Sequence, residues 1–477
     1  MPEAPPFIFR PRVRALEHAL DGEQLLLALG GLRGVVLLDS AAGQPRHFSL
    51  IGFEPLEGIS LPRCLGELES YCASLVLAEG CEPVPGPFQG GFMGALAYDL
   101  GVTGEELDLP QEPGLREPIL GGLYTDFVVT DHQAGKSYLV LGEEPGDGRP
   151  SIEERAARVA TLMAQPRTPS TWEPLGPLVR HTPAPIHQER IRIAQAEIAA
   201  GEYYQANLAH RMTRTIGADP MNLYLALRRW NPAPYMGYLG SEHLSLLSSS
   251  PELLMECSAG KLRSRPIKGT LPRGRTPVED RANAKELLAS EKDRAELAMI
   301  VDLVRNDCSR VAQVGSVRVG PLPELESHAS VLHLAADVSA DLAEGRTAFD
   351  ALAALFPGGS ISGAPKLRSM EAIARLEGEG RGFFTGSLGF LDCAGNGLFN
   401  ILIRTLVARP EGPESTQQVT FWVGGGITAA SDPVAEERET RVKGARLAAA
   451  LEGGSTPSEA LGLSLDGDEM VPRHPFC

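Results

Sequence analysis

The sequence predicts an α+β protein. Short β-like runs parted by turn residues fill the first 145 positions. Helical periods alternate with strand-like runs beyond 188, and a Pro/Thr-rich link at 166–187 separates the two textures. At 477 residues the chain is long enough for about three domains or for one large intertwined α/β body.

The elements follow in order. Runs at 33–40, 47–53, 91–100, 123–132 and 137–142 read as strands of an antiparallel sheet, and 151–165 as a helix. Residues 187–201 (HQERIRIAQAEIAAG) read as a helix stopped by Gly201. The stretches 244–257 and 261–269 read as a strand pair. The longest amphipathic period, 279–306, reads as one helix. Further helices fit 348–356, 366–377 and about 433–451; strands fit 385–392, 398–408 and 418–426. Residues 452–477 are rich in Gly, Ser, Pro and Asp and read as a loose tail. The division is therefore 1–165, 188–451 and the tail.

Charge and composition exclude several classes of function. With 44 Lys plus Arg against 61 Asp plus Glu, the net charge is −17, the wrong sign for displacing counterions from nucleic acid. The greasiest run, 25–38, is cut by Arg33 and too short for a bilayer. The N-terminus has no apolar signal region. The seven cysteines form no CxxC or Cys/His cluster, which fits reduced thiols in a cytoplasmic protein.

Several residues have chemistry that needs explaining. Glu436, Glu439 and Lys443 share one face of the last helix, and Glu296 sits among apolar neighbours. Carboxylates so placed suit a hard divalent cation, although the spacing of the first three by itself fits an exposed ion-pair ladder better. Lys268, in RPIKGT, is either a strand-end surface lysine or, if desolvated in a cleft, a nucleophile. Gly424, Gly425 and Gly426 read as a turn or as an anion-binding nest. His333 reads as a buried, hydrogen-bonded histidine. Arg404, inside an apolar strand, needs an anionic partner.

Taken in order, SSSPELL (248–254), RPIKGTLPRG (265–274), EKDRAELAMIVDLVRND (291–307), SVLHLAADV (330–338), FPGGSISGAPKLRSMEAI (356–373), TGSLGFLD (385–392), NILIRTL (400–406) and GGGITAASDPVAEERET (424–440) resemble the chorismate-binding enzymes. The likeness is continuous from about 190 to 450. It extends to the first region through LLDS (37–40), HFSLIGFEP (47–55) and GGFMGALAYDLG (90–101).

The resemblance implies a large antiparallel, β-sandwich-like core with helices outside. It implies chorismate as substrate, and Mg²⁺ held by Glu296, Glu436 and Glu439. Gly269, Thr270, His333, Ser360, Arg404, Gly425, Gly426 and Lys443 are implied around the substrate. Members that use water carry a Lys where this chain has Gln205, and a neutral amide cannot serve as that base. Anthranilate synthases read PIAGT where this chain reads PIKGT. Lys268 as nucleophile and Glu252 as acid therefore imply amination at C4, giving 4-amino-4-deoxychorismate on the way to p-aminobenzoate and folate; amination of the anthranilate type is the alternative. No Cys/His/Glu glutaminase pattern is visible, so ammonia is expected from a separate glutamine amidotransferase subunit in a heterodimer. Ser40, Pro234, Tyr235 and Met236 resemble a tryptophan pocket. Phe384 replaces an aromatic residue of the family that donates a hydrogen bond.

Overall fold

The computed structural model describes residues 6–452 apart from 42–46, 144–147, 328–330 and 413–414, and without the Pro272 side chain. Beyond Glu452, the expected tail lies outside the described residues. Two large sheets face each other, and helices cover their outer faces. The larger, 13-stranded among the described residues, contains Gln205–Gly217, Thr416–Ile427, Thr405–Pro410, Ser245–Ser250, Tyr235–Gly240, Val36–Asp39, Phe48–Gly52, Phe127–Asp131, Lys136–Glu143 and Phe7–Ala15 as successive neighbours. The second runs Arg318–Val319, Val338–Asp341, Lys261–Arg265, Leu253–Ser258, Gly397–Asn400, Ser387–Asp392, Gly91–Leu96 and Ile119–Tyr124. Both sheets combine strands from before and after the 166–187 link. Pairing is antiparallel except where Phe7–Phe9 meets Leu75–Leu77.

Three apolar layers hold this together. Between the sheets, Val36, Leu50, Phe127, Leu246 and Val407 meet Met93, Ala95, Leu120, Leu388 and Phe390. Outside the large sheet, helices supply Leu25, Leu29, Leu223, Leu227 and Leu447 against Ile51, Leu247 and Phe421. Outside the second sheet, Leu297, Ile300, Val304, Leu355 and Met370 cover Phe92, Met255 and Phe399. Burying such side chains contributes roughly 1.5–3 kcal/mol each before the entropy cost of ordering them.

Five local readings change; the first is that 244–257 is two strands in different sheets, Ser245–Ser250 and Leu253–Ser258. The period at 279–306 is two helices, Pro277–Ala289 and Glu291–Ser309. Ser290 ends the first at ψ 106° and caps the second, accepting from the Asp293 amide. The stretch 398–408 is two strands in different sheets, Gly397–Asn400 and Thr405–Pro410, and Arg404 stands at the crossing with φ 53°. The three glycines form no turn: they continue the strand Thr416–Ile427, with Gly426 opposite Asn207. A helix at Pro220–Trp230, capped by Asp219, escaped the sequence reading.

Candidate active site

The cleft encloses about 510 Å³ and is lined by residues drawn from Asn207 to Leu447. Lys268 enters it from the strand Ile267–Pro272. That strand pairs with Val331–Ala335 through a bulge at Gly269, so Lys268 and Thr270 oppose the consecutive residues Leu334 and His333. The extra residue lets both side chains reach the cleft. Only glycine suits the bulge: φ is 65°, and a Cβ would stand 3.0 Å from Asp293 and Leu287. His333 is buried, its Nδ1 2.9 Å from Thr270 Oγ1 and 3.2 Å from the Gly269 carbonyl.

Lys268 lines the cleft and is half-buried. Burial lowers its ammonium pKa, Glu296 opposes the drop, and the like charge of Lys443 adds to it. A Cβ on Gly426 would stand 3.2 Å from Lys268 Nζ and 3.1 Å from the Gln205 amide, so the absence of a side chain at 426 makes room for both. Gln205 is fully buried, and neither polar atom of its amide has a hydrogen-bond partner among the described residues.

Glu252 follows Pro251 between two strands of different sheets and is 3% exposed. Burial raises its carboxyl to about 7, against the opposing influence of the nearby Ser360 hydroxyl and of Lys268. That hydroxyl makes no well-formed hydrogen bond among the described residues. Arg404 lines the cleft with its pKa lowered to about 10 by burial and by Arg446. Thr385 and Arg404 hold φ of 61° and 53°, strained for side-chain-bearing residues and typical of functional walls.

Glu296, Glu436 and Glu439 also line the cleft. Glu436 Oε1 is 3.1 Å from Lys292 Nζ and 2.8 Å from Ser431 Oγ. Glu439 Oε1 is 2.8 Å from Lys443 Nζ, so the ion-pair ladder is present at that end. Glu296 Oε1 has no hydrogen-bond partner among the described residues and lies 3.9 Å from Lys292 Nζ. No three His, Cys, Asp or Glu side chains among the described residues come together tightly enough to hold a metal by themselves. The donors are all oxygens, one of them orphaned, which suits Mg²⁺ with substrate and water oxygens completing its shell.

Lys268, Glu252, Gly269, Thr270, His333, Ser360, Arg404, Gly426, Lys443 and the three glutamates are thus gathered on one cleft. Gly425 is adjacent, its missing side chain facing Glu436 Oε2 at 3.4 Å and Lys443 Nζ at 3.7 Å. Ser40, Pro234, Tyr235 and Met236 do not line it. They belong to the Val36–Asp39 and Tyr235–Gly240 neighbourhood, where Met236 pairs with Asp39. The sequence reading missed Asn207, Thr385 and Trp422 as wall residues. Phe384 stacks on Trp422 at 5.6 Å and lines the cleft as an apolar plate.

Comparison with known proteins gives the relationship. The chorismate binding enzyme family model matches residues 45–449. Anthranilate synthase component 1 of Streptomyces coelicolor is 41% identical over 386 residues, 76% of this chain and 73% of that protein. Aminodeoxychorismate synthase component 1 of Escherichia coli is 39% identical over 370 residues, 77% and 78% of the two chains. Among solved structures, anthranilate synthase component I of Streptococcus pneumoniae superposes with a TM-score of 0.70 at 27% identity, covering 84% of this chain and 92% of that one. The E. coli isochorismate synthase MenF, at 20% identity and TM-score 0.70, shares the fold over 94% and 96% of the two chains. The chain belongs to the chorismate-binding enzymes.

Proposed function

We propose that the chain aminates chorismate at C4, the reaction of aminodeoxychorismate synthase component I, with ammonia delivered by a glutamine amidotransferase subunit. One observation carries this reading: a desolvated lysine amine, Lys268, shares a cleft with a carboxyl raised to about 7, Glu252. Such a pair supplies a neutral nucleophile and a protonated acid at one pH.

In the proposed chemistry the Lys268 amine bonds to ring C2 as the C4–O bond breaks. Glu252 gives its proton to the departing hydroxyl, which leaves as water, and the carboxylate then takes the proton lost by the Lys268 nitrogen. Ammonia bonds to C4, the C2–N bond breaks, and its electron pair returns to Lys268 with a proton from the new ammonium. Arg404, Lys443 and the Gly426 backbone hold the substrate carboxylates. Thr270 orients through His333, 2.9 Å away. Glu296, Glu436 and Glu439 would hold Mg²⁺, which when bound polarises the ring carboxylate and stabilises developing charge.

Anthranilate-type amination is the second reading, favoured by the 41% identity to the S. coelicolor anthranilate synthase component 1. Incubation with chorismate, ammonium and Mg²⁺, followed by product separation, decides between them. A 4-amino-4-deoxychorismate product supports the first reading; anthranilate from the unmodified chain overturns it. Ser40 and Pro234–Met236 are further proposed to seat tryptophan away from the cleft.

A further inference from the structure

Arg381 does not line the cleft, yet it is 2% exposed and every one of its guanidinium N–H groups is engaged. Nε donates to Glu377 Oε2 at 2.9 Å, and Nη2 donates to Glu377 Oε1 at 2.7 Å and to the Asn207 carbonyl at 2.5 Å. Nη1 donates to the Ile361 carbonyl at 3.2 Å and to Thr385 Oγ1 at 3.3 Å. The guanidinium also packs over the rings of Tyr98 and Phe384, at 4.9 and 5.4 Å from their centroids. Its own amide donates to Asp99.

Three of the groups that accept these bonds, and one of the two rings, share a property. Asn207, Ile361, Phe384 and Thr385 come from three separate segments, and all four line the cleft. Ile361 follows Ser360, whose hydroxyl faces Glu252 and whose carbonyl lies 3.5 Å from Asn207 Nδ2. Glu377, which balances the charge, also accepts the Ala209 amide of the Gln205–Gly217 strand at 2.8 Å. A planar fork with five donors in fixed directions ties these segments; an ammonium with three donors on one nitrogen cannot.

We infer that Arg381 is a positioning residue for the reaction: it fixes the wall carrying Ser360, Asn207 and Thr385 and, through Ser360, the setting of Glu252. This rests on the preceding reading in taking the cleft as the reacting site and Glu252 as its acid, not in which carbon is aminated. The step needs no contact between Arg381 and substrate.

The test is Arg381→Lys in the full chain, which keeps the charge beside Glu377 and loses the fork. Chorismate consumption is measured at saturating ammonium and Mg²⁺ across pH, per folded molecule. The expected result is a kcat lower by about tenfold to a hundredfold, with the alkaline limb of the pH profile displaced. A brace that only holds the fold would lower the melting temperature and leave kcat, KM and the pH profile of the folded fraction unchanged; that result overturns the inference. If Arg381→Lys does not fold, the double variant Glu377→Gln/Arg381→Gln, which removes both buried charges, is read by the same criteria. The product is identified in the same assay, so anthranilate from the unmodified chain would overturn the C4 reading while leaving this one standing.

Discussion

Lys268 and Gly426 are in close approach: a single methyl group on Gly426 would stand 3.2 Å from the lysine nitrogen. The fully buried Gln205 closes the other side of the same gap at 3.1 Å. Lys268 can yield only toward the cleft, and Gln205 is enclosed by its burial, so the missing side chain at 426 helps set where the amine rests. Gly426→Ala is expected to displace Lys268 and cut chorismate turnover by roughly tenfold to a hundredfold. The overpacking is expected to cost about 1–3 kcal/mol of stability. Steady-state rates and thermal unfolding check both.

Activity should follow a bell in pH. Lys268 must be neutral to attack, so the acid limb is expected below its ordinary range because burial lowers it. Glu252 must be protonated to release the hydroxyl, so the alkaline limb is expected near pH 7. A pH–kcat profile that rises steadily through pH 8 to 9 would remove Glu252 as the acid.

The same carboxyl predicts a stability change of definite sign. Below pH 4.5, its ordinary value, it is protonated both folded and unfolded. Between 4.5 and about 7 only the unfolded chain releases the proton, so stability falls with rising pH, then levels. The fall attributable to this group is about 3 kcal/mol. Glu252→Gln should lack it, unfolding at higher denaturant than the parent at pH 8 while losing turnover.

Cation binding should depend on the carboxylates at the cleft. Glu296→Gln and Glu439→Ala are expected to weaken Mg²⁺ binding at least tenfold by titration calorimetry, read without substrate turnover. Unchanged Mg²⁺ affinity in both would leave Glu296 and Glu439 as ion-pair partners of Lys292 and Lys443.

Tryptophan is expected to give a saturable calorimetric signal, lost in Tyr235→Ala. No heat of binding in the parent chain would return Ser40 and Pro234–Met236 to plain packing between neighbouring strands.

Much of this architecture can be read from local signals. Gly201 stops its helix with φ 86°, and Ser151 with Glu154 caps the helix Ile152–Ala164, as their residue types suggest. The break at Ser290 was hidden because the amphipathic period runs through it, although Ser290 and Asp293 carry the capping signal. Arg404 was harder. An apolar run with one arginine looks like a single strand, and nothing local reveals that the chain changes sheets there. The cleft residues were legible as a set through their family resemblance, since each weighed alone had an ordinary explanation. Arg381 gave no such signal: its importance lies in contacts to Asn207 and Ile361, 174 and 20 residues away in sequence.

The central claim is a transient bond between Lys268 and the ring, and intact-protein mass spectrometry tests it most directly. The enzyme is mixed with chorismate and Mg²⁺ without ammonia, quenched in acid and digested to locate any added mass. The account predicts an adduct of chorismate minus water on Lys268, absent from Lys268→Ala. Full 4-amino-4-deoxychorismate formation by Lys268→Ala, with no adduct on the parent chain, would contradict it.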